Sequence, residues 1–224
     1  MRINSDSATC SPTDYFAAVG VPTSSQWVLA VGATMEADLK ELNGLGPAAC
    51  MAPVQGSVTS TGFIHPSNVM ALPEYQKNAV EGYMKSDAYQ HWPFQPSFDK
   101  PGRGIPDVSA YGNNIAYVGE AQNGDLFSSI VSGTSASSPA FAGLLLQVRG
   151  ALLSSPECEG KNTTFGHINP MIYWAAENRP DAFTDITVGN NIFDNRGDGA
   201  QNGAYCGQGY VATEVRLTSS FHKI

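Results

Sequence analysis

A run of small residues between two apolar segments constrains the fold of this chain more than any other feature. The stretch "LFSSIVSGTSASSPAFAGLLL" covers residues 126–146. Its pattern predicts a strand over 126–133 and a helix from about Ser137 to Leu153. Gly133 lies between them and allows a tight backbone turn that a side chain would obstruct. We therefore expect a strand, a sharp turn and a helix, with Ser135 at the start of the helix.

The position of Ser135 leaves two roles open for its hydroxyl. Unpaired N–H groups and the positive end of the helix dipole favour negative charge at a helix N-terminus. That setting suits an alkoxide nucleophile with an adjacent oxyanion. Serine is also among the preferred helix N-caps, so a plain capping role is the alternative. Pro139 is expected in the first helical turn, where its missing N–H costs little.

Strands alternate with helices along the rest of the chain. Strands are predicted within 24–35, 105–112 and 114–120. An amphipathic helix is predicted over 72–86 and a second helix over 167–178. Loops are predicted over 43–68, with or without short strands, over 87–106 and from Phe183 onward. No internal repeat and no domain linker interrupts this order. The pattern predicts an α/β fold with a largely parallel sheet.

Charge and cysteine usage exclude several classes of partner. Twelve basic and 20 acidic residues leave a net charge of −8, which disfavours nucleic acid and anionic membranes. No apolar stretch reaches the ~20 residues of a membrane-spanning helix. The four cysteines show no Cys-x-x-Cys spacing, so disulfides are favoured over zinc and their pairing stays open. The four histidines are interpreted as structural or surface residues; they are His65, His91, His167 and His222.

Several motifs together resemble one enzyme family. In chain order they are "FAAVGVPTSSQWVLAVGAT", "LPEYQKNAVEGYM", "GRGIPDVSA", "SGTSASSPAFAG", "GHINPMIY" and "AFTDITVGNN". Their sequence and order resemble the sedolisins, the serine-carboxyl peptidases that include the lysosomal tripeptidyl peptidase. Subtilisins share the Gly-Thr-Ser turn but continue it differently and lack the Asp-Ile-Thr-x-Gly loop. The resemblance implies a subtilisin-like parallel sheet flanked by helices.

The resemblance also implies catalytic roles. Ser135 corresponds to the nucleophile, and Asp6 in "INSDSATC" to an aspartate of the oxyanion hole. The family's base is a Glu oriented by an Asp, and carboxylates of this kind remain ionised in acid. That pair lies upstream of the oxyanion segment in the family and has no counterpart here. We therefore expect residues 1–224 to be the C-terminal half of a catalytic domain, with a divergent end from about residue 214.

A calcium site is implied only in part. The family binds one calcium ion through an Asp side chain and the next backbone carbonyl, which correspond to Asp185 and Ile186. Further carbonyls come from a Gly-x-Gly, for which Gly207 and Gly209 are an alternative match. Val211 then stands where a second Asp is needed, so the site is expected to be incomplete.

Two functions follow from these expectations. The first is a serine-type peptidase that cleaves peptide or protein substrates in acid, in a secreted or lysosome-like compartment, through an acyl-enzyme on Ser135. The second is a catalytically inactive fragment that binds peptides or proteins. Neither the choice between endopeptidase and tripeptide-releasing activity nor the oligomeric state follows from the sequence.

Overall fold

Strands and helices alternate in the computed structural model, which describes residues 21–35, 48–49, 60, 62–90, 100–161, 163–186 and 222–223. The α-helices are α1 (Lys77–Met84), α2 (Asp87–Gln90), α3 (Thr134–Leu153) and α4 (Asn169–Asn178). The strands are β1 (Val31–Met35), β2 (Ala48–Ala49), β3 (Phe63–Pro66), β4 (Pro101–Ile105), β5 (Val108–Tyr111), β6 (Ile115–Glu120), β7 (Leu126–Val131), β8 (Thr184–Asp185) and β9 (His222–Lys223).

The largest sheet has five strands in the order β2-β1-β5-β9-β8. Its two central pairings, β1 with β5 and β5 with β9, are parallel, and Val31 pairs with Val108. Both outer pairings are antiparallel. The predicted α/β class is confirmed, and the sheet is mixed where a largely parallel one was expected.

The predicted loop over 87–106 was wrong at both ends. It contains helix α2 and strand β4, which pairs antiparallel with β3. Gly102 explains this close pairing, because a Cβ there would collide with the backbone oxygen of Met70 and lie 3.0 Å from that of His65. Glycine indicates a loop in a local reading, but here it admits a neighbouring backbone.

Two buried clusters hold the helices against the strands. Val108 of β5 packs with Phe141 of α3 and Ile172 of α4. Helix α1 contributes Val80 and Tyr83 to the other cluster. The amphipathic helix predicted over 72–86 is thereby confirmed, with one helical turn of 3-10 type, Glu74–Gln76, before α1.

The hairpin of β6 and β7 exposes apolar side chains on both of its faces. Val118, Leu126 and Ile130 are 71 %, 75 % and 65 % exposed, and the strand register places them on one face. Tyr117 and Phe127 form an edge-to-face ring pair on the other, with centroids 6.1 Å apart. A two-stranded hairpin is marginally stable alone in water, so such faces favour coverage by further structure. No helix in the described part of the chain is both long and apolar enough to cross a membrane.

Candidate active site

The turn that precedes Ser135 depends on Gly133. Its φ of 141° and ψ of 163° lie in a region that is essentially restricted to glycine. Its N–H donates to the carbonyl of Gly112, at 2.7 Å, so the turn is attached to the end of β5. A Cβ on Gly112 would lie 2.9 Å from the Gly133 oxygen. The end of β5 and the start of α3 therefore approach more closely than side chains would permit.

Helix α3 begins three residues earlier than predicted, at Thr134. The N-cap is Gly133, whose carbonyl accepts from the N–H groups of Ala136 and Ser137 at 3.0 and 3.3 Å. The capping interpretation of Ser135 was therefore wrong, because Ser135 is the second helical residue. The placement of Pro139 in the first turn was also wrong, since this proline lies inside the helix. Its missing N–H leaves the Ser135 carbonyl without the usual helical donor.

The Ser135 side chain is exposed at the N-terminal end of α3. Within the described residues its hydroxyl makes no hydrogen bond. The arrangement can therefore present a nucleophile to a substrate carbonyl at a helix N-terminus, where the helix dipole favours the negative charge of an oxyanion.

Ser132 binds the residues that follow β5. Its hydroxyl donates to Asn113 Oδ1 at 3.1 Å and accepts from the N–H of Asn114 at 2.8 Å. Sequence reasoning missed this contact because the partners are 18 and 19 residues apart. The Asn-Asn pair at the junction of two predicted strands was the signal, since asparagine is favoured in turns.

A buried polar network lies between β4, β5 and α4. Asp107 accepts hydrogen bonds from Arg103 Nη2 and the N–H of Ala30, both at 2.7 Å, and from the Tyr173 hydroxyl at 3.0 Å. Gln76 Nε2 donates to the same Tyr173 hydroxyl at 2.6 Å. Burial raises the pKa of Asp107, while the Arg103 charge and the hydrogen bonds oppose the rise. We interpret Asp107 as a structural residue.

His65 is also structural. It is fully buried, and its Nδ1 donates to the carbonyl of Arg103 at 2.9 Å, which fixes the tautomer. Burial lowers the pKa of His65, with a smaller contribution from the Arg103 charge, although the bond to the carbonyl opposes the change. His167 packs against Trp27, with ring centroids 4.8 Å apart. Neither histidine is placed as a base for Ser135.

The other predicted site residues are only partly described. Asp6 lies outside the described residues, as do Gly207, Gly209 and Val211. Asp185 is partly buried at the end of β8, and the side chain of Ile186 joins the cluster around Val80. Calcium takes six to eight oxygen ligands. In the described ranges no group of three His, Cys, Asp or Glu residues could hold a metal, so these residues alone do not fit a calcium ion.

Cys158 bears on the disulfide expectation. It has a free thiol within the described part of the chain, where no second cysteine lies, so the pairing of the four cysteines stays open. Cys10, Cys50 and Cys206 lie outside the described residues.

Comparison with known proteins places this geometry in a family. The model of the Subtilase family matches residues 11–190, which include the Gly133 turn and Ser135. The chain belongs to the subtilase family. Curated relatives that it matches are named physarolisin and tripeptidyl-peptidase, which confirms the resemblance to the sedolisins drawn from the motifs.

Three of these relatives show how similar the sequences are and how much of each chain is aligned. Physarolisin of Physarum polycephalum is 34 % identical over 190 residues, which cover 76 % of this chain and 30 % of the relative. Tripeptidyl-peptidase 1 of Dictyostelium discoideum is 28 % identical over 78 % of this chain and 24 % of the relative. Tripeptidyl-peptidase SED3 of Arthroderma otae is 32 % identical over 68 % of this chain and 24 % of the relative. This subtilase chain therefore spans less than a third of the length of the relatives it matches.

Proposed function

We propose that this chain is the C-terminal part of a sedolisin-type catalytic domain that hydrolyses peptide bonds through an acyl-enzyme on Ser135. The observation that carries the proposal is that Ser135 is exposed. It is the second residue of α3 and follows a turn whose conformation at Gly133 is restricted to glycine. Peptide or protein substrates follow from the peptidase names of its relatives.

The reaction has two steps. Ser135 Oγ attacks the peptide carbonyl carbon as its proton passes to a base, and the C–N bond breaks as the amine leaves with a proton. Water then attacks the ester and releases the acid and the free hydroxyl. The N–H groups at the start of α3 stabilise the oxyanion in both steps. Asp6, protonated in acid, would add a further donor there.

The base for Ser135 is proposed to be a Glu held by an Asp, on a polypeptide segment not included in these 224 residues. The support is that the described residues place no partner on the hydroxyl. A carboxylate base functions in acid, where histidine would be protonated. The proposed site of action is therefore an acidic secreted or lysosome-like compartment.

The exposed faces of the β6–β7 hairpin also favour a larger domain. Val118, Leu126 and Ile130 expose apolar surface that a complete domain would cover. The relatives are more than three times as long as the segment they share with this chain, so they have residues for that cover.

The second candidate is a catalytically inactive module that binds peptides or proteins. It is favoured by the same observation that no described residue bonds to the Ser135 hydroxyl, since a nucleophile without a base is weak.

Labelling tests whether Ser135 is activated within this chain. The folded chain is treated with a fluorophosphonate at pH ~4 and ~7, and adducts are read by intact mass, with Ser135→Ala as control. We expect no adduct with the chain alone, which supports a missing base. A single adduct on Ser135 would show that the nucleophile is activated within this chain and would contradict that part of the proposal.

A further inference from the structure

The two ends of the β6–β7 hairpin meet beside the Gly133 turn. The last strand pair there is Ile115 with Val131. One residue beyond it, Ser132 on one side faces Asn113 and Asn114 on the other. Side-chain hydrogen bonds therefore continue the ladder past the point where strand pairing stops.

The Ser132 hydroxyl is both a hydrogen-bond donor and a hydrogen-bond acceptor. It donates to Asn113 Oδ1 and accepts from the Asn114 N–H. Asn113 is only 4 % exposed, so its side chain is held among other atoms. Asn114 has a φ of 53°, a left-handed conformation that asparagine tolerates. The β5–β6 connection thus offers Ser132 a donor and an acceptor at fixed positions.

The next residue is attached to the same connection. The Gly133 N–H donates to the Gly112 carbonyl at 2.7 Å. Residues 132 and 133 are therefore bound to residues 112–114 by three hydrogen bonds, two residues before the nucleophile. Gly133 has the greatest backbone freedom in this segment, so its neighbours must restrict the turn.

We propose that Ser132 is a positioning residue that holds the nucleophile turn in place through Asn113 and Asn114. The inference rests on the proposed function, because it assigns Ser132 a role in the reactivity of Ser135. Ser132 touches no reacting atom in this scheme and acts through Gly133. A misplacement of a reacting group by about 1 Å can cost about 100-fold in rate, so restraint at this point matters.

Two variants and a control test directly whether Ser132 restrains the Gly133 turn. Ser132→Ala removes the hydroxyl and Ser132→Thr retains it. Ser129→Ala removes an exposed hydroxyl three residues away on β7. Amide hydrogen exchange by NMR is measured for Asn114 and Gly133 in each. In Ser132→Ala we expect exchange at both amides to be about tenfold faster or more, because one to two hydrogen bonds are lost. In Ser132→Thr and Ser129→Ala we expect the wild-type exchange rates. Unchanged exchange at Gly133 in Ser132→Ala overturns the proposal.

Fluorophosphonate labelling of Ser135 gives the second measurement. If the wild-type chain is labelled, we expect the rate to fall about tenfold in Ser132→Ala and to be restored in Ser132→Thr. Faster exchange with an unchanged labelling rate would overturn the positioning role. If the folded wild-type chain is not labelled, as the missing base of the proposed function predicts, the amide chemical shifts of Ser135 decide the positioning role. A change of these shifts in Ser132→Ala that Ser132→Thr reverses supports the role, and unchanged shifts overturn it.

Discussion

Arg103 and Asp107 form an ion pair that is almost completely shielded from water, with Nη2 and Oδ2 2.7 Å apart. Arg103 lies in β4, and Asp107 lies four residues later, directly before β5. Arg103 also donates to the Tyr75 hydroxyl and to the carbonyl of Val28, at 2.8 and 3.1 Å. The guanidinium thus joins β4 to the residues before β1 and to the 3-10 turn that precedes α1.

Removal of the arginine tests this network. Arg103→Met leaves Asp107 buried without its counter-charge, which typically costs about 3–5 kcal/mol of unfolding free energy. Urea denaturation at neutral pH measures the change. Arg179→Met is the matched control, because its pair with Asp181 is exposed, and we expect an unchanged urea midpoint. A midpoint for Arg103→Met as high as that of the control would show that the buried pair contributes little.

Two glycines in and near α3 are expected to respond oppositely to alanine. Gly133→Ala forces a Cβ into a Gly-only conformation and costs about 1–3 kcal/mol. Gly143 lies inside α3, and a Cβ there meets no atom within 4 Å, so Gly143→Ala stabilises the helix by about 0.5–1 kcal/mol. Thermal unfolding of both variants checks the two signs. Equal changes in the melting temperature of the two variants would mean that the conformation at position 133 does not require glycine.

His65 is expected to reduce stability in acid. Its pKa is lowered in the fold, whereas in the unfolded chain it is about 6.5. Between these two values the unfolded state binds more protons, so the stability contributed by the neutral ring is present above pH ~6.5 and is lost as the pH falls. The loss is at most about 1.4 kcal/mol for each pH unit in that window.

His65→Gln checks this sign. Unfolding free energies are measured from pH 7 to pH 5, and we expect the variant to lose less stability across the range than the wild type. His167→Gln controls for the loss of an imidazole elsewhere. A variant with the wild-type slope would show that His65 does not carry the effect.

Calcium is expected to have little effect on this chain alone. Asp185 and the Ile186 carbonyl are the candidate ligands among the described residues, and two ligands are far fewer than the ion takes. Melting temperatures with calcium in excess and with a chelator should therefore agree, in the wild type and in Asp185→Asn. A rise with calcium that Asp185→Asn abolishes would show that ligands outside the described residues complete the site.

Local patterns predicted the elements whose apolar spacing is regular. The face of α1 with Ala79, Val80 and Tyr83 is buried as its spacing indicates. Helix α4 begins two residues after the predicted start, at Asn169. The strand before Gly133 and the helix after it also follow from the sequence, because each is encoded within its own residues.

The elements that were missed depend on contacts between distant residues. Strand β4 contains two glycines and a proline, and it exists because β3 lies against it. The early start of α3 follows from the cap at Gly133, which the Gly112 carbonyl holds in place. Periodicity cannot register either contact, because the partner is more than 20 residues away.

The sequence by itself determined the α/β class, the family and the nucleophile candidate Ser135, because motifs and spacing are properties of contiguous residues. Only the tertiary structure decided that Gly133 caps α3, that Asp107 and His65 are buried, and that Ser132 binds Asn113 and Asn114. These are relations between chain segments brought together by packing. Their energies arise from burial and hydrogen-bond geometry, which exist only once the segments have met.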